Sequence, residues 1–136
     1  MGSYKEIKGD LLALAKEGKF DVIAHGANCR KMMGAGIAYQ IAREFPIAYQ
    51  ADKIDNRMPR QRLGDLTYTG LGENLFIVNL YTQYEGGPNL DYCALELSLR
   101  KMTLIFNHNL KIGLPMIGCG IGGGNEEKVI EIIKRV

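Results

Sequence analysis

Twice in this chain an apolar run empties into a glycine-bearing loop that leads straight into a helical pattern. The first run, Phe20 to Ala24, is followed by a polar loop from His25 to Met33 and then by Gly34-Ala35-Gly36-Ile37. The second, Lys111 to Ile117, is followed by Gly118-Cys119-Gly120-Ile121-Gly122-Gly123-Gly124 and a helix from Glu126. Glycine lets backbone amides crowd against a ligand, and a helix N-terminus adds orphan N–H groups and the positive end of a dipole. Each arrangement is an anion site by construction. Two of them in one small domain suit a ligand with two phosphates, or a diphosphate held from both sides.

The 136 residues make a single domain over 1–136, large enough for a core without disulfide or metal staples. A formal charge of +2 is too small to argue for nucleic acid, which is not an expected partner. The nearest thing to a basic patch, Lys53, Arg57, Arg60 and Arg62, is interleaved with Asp52 and Asp55 and reads as a solvated loop face. No apolar run reaches membrane-span length; Leu75 to Leu80 is broken by Asn79. There is no secretory signal, and Glu6 stands where a myristoylation motif wants Ser or Thr. Cys29, Cys93 and Cys119 form no Cys-x-x-Cys pair and read as free thiols of a reducing, cytoplasmic compartment. His25, Cys29 and Cys119 lack metal-ligand spacing, so no metal is expected.

Along the chain, Tyr4 to Lys8 reads as a short strand. Asp10 caps a helix through Ala15 that Gly18 closes. Phe20 to Ala24 is a buried strand. Ile37, Ile41 and Phe45 share a helical face that Pro46 ends, and residues 47–62 are irregular or partly helical. Leu63 to Leu71 and Leu75 to Tyr81 form a hairpin around Gly72-Glu73-Asn74. A long helix starts at Asn89 or Asp91, a strand runs from Lys111 to Ile117, and a helix runs from Glu126 to Val136. Strands alternating with helices imply an α/β fold, a three-layer α/β/α sandwich on a mostly parallel mixed sheet. Both glycine loops then lie at the carboxyl ends of strands, where such sheets bind ligands. Gly118-x-Gly120-x-x-Gly123 matches a dinucleotide fingerprint in form, but only 13 residues follow Gly123, too few for the acidic partner of a Rossmann site.

Gly9-Asp10-Leu11, the stretch from His25 through Ile37, Tyr39-Gln40, Asn79-Leu80-Tyr81-Thr82-Gln83 and Pro115-Met116-Ile117-Gly118-Cys119-Gly120 together resemble a macro domain. The similarity runs from about Tyr4 to Val136 and is greatest to the branch holding ADP-ribose-1″-phosphate phosphatases and the terminal ADP-ribose–protein hydrolase. It implies ADP-ribose or a derivative as ligand, no cofactor, and hydrolysis of ADP-ribose-1″-phosphate. The alternatives are a non-catalytic reader, or a deacylase or ADP-ribosyl hydrolase using the same pocket. The diphosphate would lie between Gly34, Ala35, Gly36 and Ile37 on one side and Gly118, Cys119, Gly120, Ile121, Gly122 and Gly123 on the other.

The resemblance gives Asp10 the adenine amino group, with the Leu11 amide beside it; read alone, Asp10 is a helix N-cap. It gives Asn28 the distal ribose; read alone, Asn28 is a turn residue bonding its own backbone. His25, at a strand end beside the loops, would be the general acid or base for a water attacking the 1″-phosphate, or simply a hydrogen-bonded residue. His108 reads as a cation at a helix end. Cys29 and Cys119 could be nucleophiles or small packing residues. Tyr81, Thr82 and Gln83 line the cleft or merely pack. The terminal-hydrolase branch has a lysine after the Thr82 position and an aspartate in the second glycine loop; this chain has Gln83 or Tyr84, and Gly122, in those places. That puts cleavage of glutamate-linked ADP-ribose in doubt. Macro domains also finish with one more strand, near which an aromatic residue stacks on adenine; this chain has none after Val136, so either the adenine side is open or another residue, such as Tyr84, covers it.

Overall fold

The computed structural model describes residues 3–136 apart from Glu73, His108 and Ile121. The expectations for His108 and Ile121, and the centre of the 72–74 turn, therefore lie outside the described residues. The sheet is built from β1 (Val22–Asn28), β2 (Leu66–Leu71), β3 (Leu75–Gln83) and β4 (Ile112–Gly113), in the order β2-β3-β1-β4. β1 runs parallel to both β3 and β4, and β2 pairs antiparallel with β3.

Side chains alternate across the sheet, and the two faces build separate cores. Val22, Ala24, Val78 and Leu80 pack against α5 (Tyr92–Ile105) and α6 (Glu126–Arg135), through Leu95, Leu99, Val129 and Ile132. Ile23, Leu75 and Ile77 meet Leu12, Ile41 and Ala48 of α1 (Leu11–Lys16), α2 (Gly36–Glu44) and α3 (Pro46–Ile54). A single turn, α4 (Pro59–Arg62), leads into β2. The result is the expected three-layer α/β/α sandwich.

Local chemistry sets the element ends. The Oδ1 atoms of Asp10 and Asp91 and the Oδ1 of Asn125 accept from first-turn amides of α1, α5 and α6. Gly18, at φ +81°, closes α1. Pro46 ends α2 and opens α3 at its first position, where its missing N–H costs nothing.

Three expectations are corrected. Tyr4 to Lys8 is not a strand: Ser3 to Gly9 are exposed and make no backbone–backbone hydrogen bond among the described residues. The strand expected over Lys111 to Ile117 shrinks to Ile112–Gly113, because it pairs only with β1 and Pro115 has no N–H to donate. β1 instead outruns its apolar stretch, since His25 to Ala27 pair with Asn79 to Tyr81 and Asn28 with Gln83. Backbone pairing overrides polarity there.

Candidate functional site

At the carboxyl ends of β1, β3 and β4 lies a cleft of about 290 Å³. One wall is the N-terminus of α2. Ala35, the N-cap residue, has no side chain able to bond the first-turn amides, and Gly36 takes φ +60° to turn the chain into the helix. Ala35, Gly36, Ile37 and Ala38 all line the cleft, whereas Gly34 does not. The first-turn amides of a helix have no partner within it, so this wall presents N–H groups.

The opposite wall is the second glycine loop. Gly118, at φ +72°, starts a tight fold in which the Gly124 amide donates to Gly118 O at 2.7 Å and Gly123 to Gly120 O at 3.1 Å. Those bonds use the amides of Gly123 and Gly124; among the described residues the amides of Gly120 and Gly122 donate to no backbone carbonyl. Gly118, Gly120 and Gly122 line the cleft; Cys119 and Gly123 do not. The floor is Gly26, with Thr82 and Ile117 at its back, and a Cβ on Gly26 would stand 2.8 Å from Thr82 Oγ1.

No Asp, Glu, Lys, Arg or His lines this cleft among the described residues. His25 is next to Gly26, and the period of two in a strand sends it to the other face of the sheet. There it is fully buried, with Nε2 2.6 Å from Asn79 Oδ1. The expectation that His25 moves a proton in the cleft is corrected by this position. Burial pushes its pKa below the usual 6.5. The thiols are likewise displaced from nucleophile chemistry: burial raises Cys29 to about 11, and burial followed by Glu126 raises Cys119.

Asn28 lines the cleft, but its own loop uses its side chain. Nδ2 donates to Met32 O at 2.9 Å and Oδ1 accepts from the Arg30 amide at 2.9 Å. This is the turn reading.

Asp10 and Leu11 stand elsewhere, in a larger groove of about 650 Å³ between α1, β4 and the segment 3–7. Asp10 is the helix cap, through Oδ1 alone; Oδ2 has no partner among the described residues. Ile37, Pro115 and Met116 line both cavities, so the groove at Asp10 continues into the cleft. Tyr84 does not cover the Asp10 side: it stacks under Arg30 at the Asn28 end, with the guanidinium 5.4 Å from its ring.

Beneath the cleft's polar loop is a buried network that sequence reading assigned to a solvated face. Arg62 is fully buried, pairs with Asp52 and with Asp55 Oδ2 at 3.1 Å, and donates from Nη1 to Cys29 O at 2.8 Å. Tyr81 OH donates to Asp52 Oδ1 at 2.7 Å, and its ring lies 4.2 Å from the Arg62 guanidinium. Arg57 is held by Asp55 and Asp65. Charges alternating over residues 52–62 were visible; that one pair folds inward depends on Tyr81, distant in sequence.

The layered sheet, with a glycine-walled cleft at the carboxyl ends of its parallel strands, defines a three-layer α/β/α domain. The chain belongs to the macro domain family, whose model matches residues 24–133. It is 38% identical over 133 residues to a protein of Enterobacteria phage T4 described as the uncharacterized 17.5 kDa protein in the tk-vs intergenic region, covering 89% of this chain and 81% of that one. Among solved structures it is similar to a protein of unknown function from Bacteroides thetaiotaomicron (TM-score 0.79, 28% identity, 95% of this chain and 87% of that one). The macrodomain of Mycobacterium tuberculosis DarG shares the fold at TM-score 0.77 and 22% identity, covering 98% and 88%. So does Thermosipho africanus DarTG in complex with ADP-ribose, at 0.72 and 17%, covering 86% of this chain and 35% of that one.

Proposed function

We propose that this domain binds ADP-ribose, with the diphosphate between the N-terminus of α2 and the Gly118–Gly122 loop. The adenosine end lies in the groove at Asp10 and Leu11, and the distal ribose lies toward Asn28, Gly86 and Gly87. The observation that carries this reading is the uncapped, nine-residue α2 facing a glycine loop with uncommitted amides across one cleft. Hydrogen bonds from such amides to a charged oxygen are each worth about 1.5–3 kcal/mol, so a few support micromolar affinity. Continuity past Ile37, Pro115 and Met116 gives room for a ligand with a nucleoside at one end.

The finer reading is hydrolysis of ADP-ribose-1″-phosphate. With no titratable side chain on the described lining, the cleft positions a water that attacks the 1″-phosphorus. The bond from phosphorus to the ribose O1″ breaks, and the water's proton passes by way of a phosphate oxygen to O1″, releasing ADP-ribose and inorganic phosphate. His25 takes no part in that step.

Amide chemical shifts of the ¹⁵N-labelled protein test the binding reading. Adding ADP-ribose should move Ala35 to Ala38 and Gly118 to Gly122 together; shifts confined elsewhere would contradict it. Phosphate release from ADP-ribose-1″-phosphate, measured beside it, decides between a phosphatase and a reader.

A further inference from the structure

Gln83 is tied down on every side. Its backbone pairs with Asn28 across β1, its carbonyl accepts from the Cys29 amide at 3.1 Å, and it bridges to Leu90 on the other flank. Its side-chain Nε2 donates to Glu85 O at 2.8 Å and to Gly87 O at 3.0 Å, clasping the loop that forms the end of the cleft. Both amide hydrogens are then spent on carbonyls. A flipped amide would set Oε1 against two carbonyl oxygens, so the orientation is fixed. Oε1 lies on the Gly122 side, 3.0 Å from where a Cβ of that glycine would stand, and both residues line the cleft.

The other groups around Oε1 sharpen what it can recognise. The two glycine-bearing walls present N–H donors, which suit phosphate oxygens. The Asn28 side-chain oxygen already accepts from Arg30, and the Thr82 hydroxyl is buried behind Gly26. A carbonyl oxygen repels a phosphate and accepts from a hydroxyl. A diphosphate has no hydrogen to donate near neutral pH, whereas a sugar has several.

We propose that Gln83 is a specificity-determining residue that reads the distal sugar, its Oε1 accepting a hydrogen bond from a ribose hydroxyl beside Gly122. The assignment rests on ADP-ribose binding as proposed above. It replaces Asn28 as the side chain that tells ADP-ribose from ADP.

The test is calorimetric titration of the parent and of Gln83→Met with ADP-ribose and with ADP. One neutral hydrogen bond is worth about 0.5–1.5 kcal/mol, so the variant should lose about three- to tenfold in ADP-ribose affinity while ADP changes less than about twofold. Equal losses for both ligands would make Gln83 a loop clasp only and overturn the assignment, as would no loss for either. In the ¹⁵N-labelled parent the Gln83 side-chain amide pair should shift with ADP-ribose and stay in place with ADP; that measurement needs no variant to fold. A parent that binds no ADP-ribose at all would overturn the proposed function itself, a result distinct from an unchanged ligand ratio in the variant.

Discussion

His25 Nε2 lies 2.6 Å from Asn79 Oδ1, and Asn79 commits its Nδ2 to Ala48 O and Thr67 Oγ1, each at 3.0 Å. The amide is thereby oriented with its oxygen toward the imidazole, so Nε2 carries the hydrogen and donates. A second proton on this ring would sit in a fully buried site with no carboxylate bonded to it.

Stability should therefore depend on pH through His25. The unfolded chain takes up a proton near pH ~6.5, while burial holds the folded pKa lower. The contribution is fully present above the unfolded pKa and is lost as pH falls through it toward the folded value, with a limiting slope of about 1.4 kcal/mol per pH unit. Urea midpoints should fall between about pH 7 and 5 in the parent and fall less steeply in His25→Gln. Parallel slopes would show that another group titrates.

The Asp52–Arg62 pair should be the most sensitive polar site in the fold. Asp52→Ala takes from the buried Arg62 guanidinium its fully buried carboxylate partner, leaving it only Asp55 and the Cys29 carbonyl, and removes the acceptor of Tyr81 OH. The expected loss is about 3–5 kcal/mol in chemical denaturation. Asp52→Ala combined with Arg62→Leu should cost less than Asp52→Ala alone, because no unpaired charge remains. A loss within about 0.5 kcal/mol, the range of ordinary surface changes, would contradict the burial of this pair.

Gly120→Val is the cleanest probe of the second glycine wall. A Cβ there meets nothing within 4 Å and the backbone φ is not in the left-handed region, so the fold should be kept. The side chain enters the cleft where the diphosphate approaches, and ADP-ribose binding should fall at least about a hundredfold, or ~2.7 kcal/mol. Gly36→Val is a poorer probe, because φ +60° strains any β-branched residue at that position. Near-parent affinity in a folded Gly120→Val protein would place the ligand elsewhere.

Because no titratable side chain lines the cleft among the described residues, ADP-ribose affinity should be flat between about pH 7 and 9. Cys29, raised to about 11, stays a thiol throughout that interval. A titration curve with a step of more than about tenfold, ~1.4 kcal/mol, would require an ionising group at the ligand.

The layers, the hairpin and the placement of both glycine loops were legible in the sequence because each rests on local chemistry: apolar periodicity, the cap at Asp10, and glycine before a helix. What eluded it was set by distant pairing. His25 seemed poised at a strand end, but pairing with Asn79 extends the strand and parity turns the ring away from the cleft. Counting from Ile23, whose side chain belongs with Ile77, would have placed His25 on the same face. Arg62 looked solvated because neither Tyr81 nor the Cys29 carbonyl is near it in the chain. The role of Gln83 was obscured for the same reason: its meaning lies in Gly122 and in the carbonyls of Glu85 and Gly87.

Calorimetric titration of the parent with ADP-ribose, ADP, AMP and NAD tests the central claim most directly. The geometry predicts micromolar binding of ADP-ribose, about three- to tenfold tighter than ADP, which lacks the distal sugar. AMP, with a single phosphate to place between two amide walls, should bind more weakly than either. Equal affinity for ADP and ADP-ribose would show that the distal ribose is not read, and no heat from any of the four would contradict the assignment of this cleft to an ADP-ribose ligand.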